Sequence, residues 1–227
     1  FQPLVMQLLY KPDKNSLEYK SLDQACQQLQ LSPLRLMEKC GALPSAHDYH
    51  LQLFLLEYFP KGIGFPDIPP APVADELTLA DAEAFSLDDS STTEIDDAFT
   101  VKRLDNGHWR IGVHIAAPSL GILPETPLDQ LVMNRLSTVY FPGNKYTMLP
   151  DEVVSHFTLQ EGTTCPAVSM YIEIDDAFEV IATESRVEQV KIAANLRNDV
   201  LEAHFNDETL ANGSDGDYAF KAELRLL

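Results

Sequence analysis

The sequence predicts an α+β protein: a small helical N-terminal domain of helix-turn-helix or winged-helix type, then part of a mixed α/β domain rich in antiparallel strands. Three observations predict it. Apolar residues recur at helical spacing before residue 60, prolines and glycines crowd the segment after it, and from about residue 80 apolar and polar residues alternate around hairpin turns. With 45% apolar and 22% charged residues in 227, the chain can bury one large core or two small ones, and wholesale disorder is excluded.

The helical domain is expected over residues 1–60. Ser21 followed by Gln24 has the spacing of a capping box, and Leu22, Ala25, Cys26 and Leu29 fall on one helical face. Ser32-Pro33 starts a second helix, with proline where no backbone N–H is needed, and Gly41 ends it. Two short helices joined this closely make a helix-turn-helix outline. Ser45 and Asp48 start a third helix, whose core face is Leu51, Phe54, Leu55 and Tyr58. The second helix carries only Arg35 and Lys39, opposed by Glu38, so no sequence-specific DNA reading is expected of it.

Residues 61–79 read as a stiff proline-rich tether pressed onto a surface. Pro66, Pro69, Pro70 and Pro72, with Gly62 and Gly64, forbid both helix and central strand. The second domain then spans 80–227. Phe99, Val101 and Arg103 alternate with polar residues up to the turn Asp105-Asn106-Gly107, and Trp109, Ile111, Val113 and Ile115 alternate after it, Trp109 on the core face. Val168, Met170, Ile172 and Ile174 run into Asp175-Asp176, and the chain returns through Val180 and Ile181. Leu128–Leu136 and Ile192–Phe205 read as helices, and residues 212–216 as an exposed loop. His114, within an apolar strand, reads as a hydrogen-bonded structural histidine rather than a ligand.

Charge and cysteine usage narrow the function. A net charge of −19 disfavours a nucleic-acid grip built on clustered lysine and arginine. No run approaches the ~18 apolar residues of a membrane span, so no membrane partner is expected. Three scattered cysteines without a CxxC pair exclude a disulfide scaffold and point to a reducing, cytoplasmic setting. The chain begins at Phe1 and stops on an apolar run, so it reads as a piece of a longer protein.

From Asp67 to Thr100 there are ten acidic residues and no Lys or Arg, which taken alone is the mark of a solvated linker. The spacing within Asp88-Asp89-Ser90-Ser91-Thr92-Thr93-Glu94-Ile95-Asp96-Asp97 suggests more. A loop of small hydroxyl residues can curl back so that several carboxylates converge, and like charges within ~4–6 Å are costly unless a cation joins them. Magnesium, an oxygen-seeking ion that bridges carboxylates to phosphates, removes that cost. A plain Asp-rich turn and a calcium site are the alternatives, but the EF-hand pattern fits in no register.

These residues carry a resemblance. Leu87-Asp88 through Glu94-Ile95-Asp96-Asp97-Ala98 resembles the metal-binding signature of the ribonuclease II catalytic domain, the RNB domain. In the same order, Gly112-Val113-His114-Ile115-Ala116, Asn134 to Tyr140, Thr147-Met148-Leu149-Pro150 and Ser155 to Leu159 resemble later segments, so that residues 80–200 are covered. Cys40-Gly41-Ala42 and Tyr58 to Gly62 resemble the helical leader of bacterial members.

The resemblance implies a magnesium-dependent exoribonuclease that hydrolyses single-stranded RNA from its 3′ end and releases nucleoside 5′-monophosphates. It implies metal ligands at Asp88, Glu94, Asp96 and Asp97, with Asp96 catalytic. Glu94 stands where the family usually has aspartate, one methylene shorter. Tyr140 matches a tyrosine that packs on the terminal nucleotide. Arg135 has two open readings, a phosphate contact or a partner for the acidic surplus. The family's catalytic domain is longer than the stretch of this chain beyond Asp88, so the chain is expected to be its front part. The alternative is an inactive RNB-like module that binds RNA or protein, with Glu94 as the mark of lost activity.

Overall fold

The computed structural model describes residues 4–73 and 76–227, and the chain divides into two compact units between Pro66 and Asp67. The proline-rich tether expected over 61–79 therefore crosses this division.

The first unit has four helices among the described residues: α1 (Val5–Tyr10), α2 (Leu17–Leu29), α3 (Pro33–Lys39) and α4 (Ala46–Tyr58). Val5, Leu8, Leu22, Cys26, Leu36, Met37 and Leu43 form its core. The cap of α2 is Ser16, whose hydroxyl accepts from the Tyr19 N–H at 3.2 Å, and not Ser21. Ser21 lies a turn inside and donates to the Leu17 carbonyl at 2.8 Å. Tyr19 packs against the same core as Leu22 and Cys26, so the apolar stripe, and with it the helix, begins a turn earlier. The start of α3 at Ser32-Pro33, the left-handed Gly41 after it (φ 66°) and the Ser45 cap of α4 agree with the sequence. The expected core face of α4 is only partly covered, with Tyr58 65% exposed.

In the second unit β1 (Ala84–Asp88), β2 (Asp97–Arg103), β3 (Trp109–Ala116), β6 (Thr164–Ile174) and β7 (Val180–Arg197) close into a barrel in that order. Successive strands run antiparallel, and an odd number of alternating strands can close only through a parallel pair, here β1 with β7. A separate hairpin, β4 (Val139–Phe141) and β5 (Asn144–Tyr146), lies between α5 (Pro127–Arg135) and α6 (Asp151–Phe157).

Barrel closure overturns two readings. Residues Ile192 to Arg197 are strand, because Ala194, Asn195, Leu196 and Arg197 pair with Phe85, Ser86, Leu87 and Asp88; only Asn198–Leu201 (α7) is helical there. The faces of β3 and β6 are also inverted. Ile115, Val168 and Met170 point outward, the last two 46% and 43% exposed, while Thr100, Gly112, His114, Ser169, Tyr171 and Glu188 point in. The inward row of β7 divides the barrel interior into a polar part around Glu188 and an apolar part around Val190 and Ile192, which cluster with Ala98, Cys165 and Ala167. At Gly112 a Cβ would overlap Thr100 Oγ1 and come within 2.8 Å of His114 Nε2.

The polar bore is largely satisfied by its own hydrogen bonds, as burial requires. His114 lies 3.0 Å from Thr100 Oγ1 through Nε2 and 2.7 Å from Ser169 Oγ through Nδ1, a structural histidine as expected. Trp109 is not core: it is half-buried, with the Arg103 guanidinium 4.6 Å above its ring. Asn212 ends a short helix (α8, Asp207–Asn212), and Asp215 is buried between Arg225 (3.0 Å) and Lys221 (3.1 Å), so the expected exposed loop is partly ordered packing.

The proline-rich strand of chain after Asp67 lies on the second unit. The Ala71 N–H donates to the Gly121 carbonyl at 2.8 Å, and Ile68 and Val73 pack on Leu128, Val153 and Phe157.

Candidate metal centre at the barrel end

β1 ends on Asp88 and its antiparallel neighbour β2 starts on Asp97, so both carboxylates reach the same end of the barrel although eight residues separate them. The intervening loop is fixed by groups from distant parts of the chain. Arg197 Nη1 donates to the carbonyls of Asp89 (2.9 Å) and Thr92 (3.3 Å), and Asn198 Nδ2 to Asp89 Oδ1 (2.9 Å). The Ile95 N–H donates to Thr158 Oγ1 (2.8 Å), and the Ile95 side chain is buried in the barrel core. Glu94 and Asp96 flank this anchor and together border a cavity of about 40 Å³ against Ala116 and Phe157. Ser86 donates to Asp88 Oδ2 at 2.5 Å and is itself held by Asn195 Nδ2 at 2.8 Å.

Asp96 is the electrostatic centre. Partial burial pushes its carboxyl above the usual carboxylate range, and Glu94, Asp97 and Asp88 push it the same way, opposed by Lys145. Burial and then Asp88 raise Asp97 as well. The sequence-predicted carboxylates Asp88, Glu94, Asp96 and Asp97 thus share one field. Among the described residues, no three carboxylate, imidazole or thiol side chains stand close enough to hold an ion as placed. The fit to a divalent cation is one of charge and donor type: hard oxygen donors whose mutual repulsion only positive charge relieves.

Lys145 is the cation that sequence reasoning missed. From β5 its Nζ forms an ion pair with Glu94 and lies 3.4 Å from Thr93 Oγ1. Its one signal was its place between two recognisable segments, just after the Gly143-Asn144 turn. Tyr140 is its direct cross-strand partner in the hairpin, and opposed residues of an antiparallel pair share a face. The Tyr140 ring, 71% exposed, therefore stands on the side from which Lys145 reaches the carboxylates. The Arg135 guanidinium donates to the Thr147 carbonyl at 2.8 Å, tying the end of α5 to the chain after β5.

The RNB domain family model matches residues 77–219, well over half of the chain. The chain belongs to the RNB family. An uncharacterized ribonuclease of Synechocystis sp. is 31% identical over 109 residues, 48% of this chain and 16% of that protein. Among solved structures, Mycoplasma genitalium RNase R in complex with ribose-methylated single-stranded RNA is similar with a TM-score of 0.54 and 18% identity, covering 64% of this chain and 22% of that one. Yeast Ssd1, a pseudonuclease, is similar with a TM-score of 0.56 and 20% identity, over 68% of this chain and 19% of that one. At these identities the two structures show the RNB fold alone. The matched part is between 8% and 19% of the length of the curated relatives.

Proposed function

We propose that this RNB chain is the front part of the catalytic unit of a 3′-to-5′ exoribonuclease acting on single-stranded RNA in the cytoplasm. The observation that carries the reading is the gathering of Asp88, Glu94, Asp96 and Asp97 at one barrel end, where burial and then the charges of Glu94, Asp97 and Asp88 raise the cost of charging Asp96. Asp88, Glu94, Asp96 and Asp97 would hold magnesium, which when bound supplies positive charge at the phosphate and acidifies a water. Tyr140 offers an open aromatic face on the same side, suited to stacking the terminal base, as aromatic platforms do for single strands. Arg135 supports the hairpin that presents Tyr140 through its bond to Thr147. In the reaction the water oxygen joins phosphorus and the bond to the upstream 3′ oxygen breaks. That oxygen takes a proton, and a nucleoside 5′-monophosphate leaves.

The test is Asp96→Asn in a protein carrying the whole catalytic unit. It removes one charge with little change of shape, so RNA hydrolysis is lost while RNA binding persists. Hydrolysis at the wild-type rate overturns the assignment.

One observation favours a second reading, an RNB module without hydrolytic activity. Glu94 is already paired with a lysine.

A further inference from the structure

Lys145 has a chemical role that the RNB resemblance does not supply. It sits on a short hairpin outside the barrel, yet its ammonium reaches across to the loop between β1 and β2 and pairs with Glu94, 51 residues away in sequence. Neither partner is freely solvated, with 31% of the Lys145 side chain and 17% of the Glu94 side chain exposed, so the pair is screened less than an open surface bridge. Glu94 is also the longest of the four acidic arms. Its extra methylene adds a torsion that the pairing with Lys145 orders.

We infer that Lys145 is a tethered counter-ion that holds Glu94 towards the hairpin and competes with a divalent cation for the carboxylates at the barrel end. This deepens the proposed function and rests on its assignment of those carboxylates. Two features support it beyond the contact itself. Lys145 Nζ also lies 3.4 Å from Thr93 Oγ1, so the ammonium is held at two adjacent residues of the acidic loop. And Lys145 stands directly opposite Tyr140 in the β4–β5 hairpin, so its stem starts from a fixed position in the ladder. Lys145 is thereby a positioning residue: it sets how much magnesium the site needs, and it ties that requirement to the hairpin that carries Tyr140.

The probe is Mn²⁺, titrated by calorimetry into this 227-residue chain at 0.15 M salt, with Lys145→Gln, Lys145→Arg and Asp96→Asn compared. Lys145→Gln removes a positive charge a few ångströms from the ion and frees Glu94, and Mn²⁺ binding should tighten by about tenfold. Lys145→Arg keeps the charge and should bind as the wild type does. Asp96→Asn should bind far more weakly than either. Far-UV circular dichroism of each variant confirms that the fold is retained. Unchanged or weaker binding in Lys145→Gln overturns the inference while leaving the metal assignment standing, provided Asp96→Asn loses binding. Wild-type affinity in Asp96→Asn, or no Mn²⁺ binding by any of the four proteins, overturns both.

Discussion

Gly112→Ala should destabilise the barrel by about 2–4 kcal/mol. The residue lies on β3 with its Cα facing a bore filled by Thr100, His114 and Tyr171, and a Cβ there would overlap Thr100 Oγ1 and lie 2.8 Å from both His114 Nε2 and Tyr171 Cε1. Overpacking of a closed core costs about 1–3 kcal/mol. Moving the Thr100 hydroxyl away also breaks its 3.0 Å bond to His114, worth about 1 kcal/mol more in a buried site. Urea denaturation followed by the fluorescence of Trp109, the one tryptophan, reports on this unit because Trp109 pairs with Arg103 on β2 and Ile174 on β6. Gly64→Ala is the control, since a Cβ there meets nothing within 4 Å. A Gly112→Ala midpoint equal to that of the wild type would refute the polar, tightly filled bore, and with it the inverted strand faces.

Two further predictions concern acid stability. Burial holds the His114 imidazole neutral and lowers its pKa from 6.5 to about 4, so the unfolded chain takes up a proton that the fold refuses. Stability from this source is full above pH 6.5 and falls by about 3 kcal/mol as the pH drops to about 4; His114→Gln should flatten that part of the pH profile of urea midpoints. Asp96 has the opposite sign, because its raised pKa means that the fold disfavours the charged form, a penalty that appears as the pH rises through that pKa. Asp96→Asn should therefore melt at a higher temperature than the wild type at pH 7, with the gap closing near pH 3, and equal melting points at pH 7 would deny the convergence of charge.

What was legible in the sequence was decided by close neighbours. Ser32-Pro33 and Gly41 bound a helix because their own backbone needs are local, and Asp105-Asn106-Gly107 makes its turn with Gly107 at φ 87° for the same reason. The acidic loop was legible as a candidate site because its residues lie within ten positions of one another. What escaped depended on partners far along the chain. The strand at Ile192 to Arg197 is set by β1, more than a hundred residues earlier, and its apolar spacing suits a helix equally well. Which face of Ile111 to Ile115 turns inward is a property of the closed bore, invisible in an alternation that reads the same from both sides. Lys145 is unremarkable until the fold brings it to Glu94.

The central claim, that the carboxylates at the barrel end form the metal-dependent centre of a ribonuclease, is tested most directly by a magnesium titration of RNA hydrolysis. The protein is one carrying the whole catalytic unit, on a single-stranded substrate, as wild type, Glu94→Asp and Glu94→Gln. A ligand change of this kind typically shifts affinity or activity by about 10–100-fold rather than abolishing it. Magnesium-dependent release of mononucleotides by the wild type is expected, with a modest change in the magnesium requirement for Glu94→Asp and a larger loss of turnover for Glu94→Gln. A wild type silent at every magnesium concentration contradicts the account.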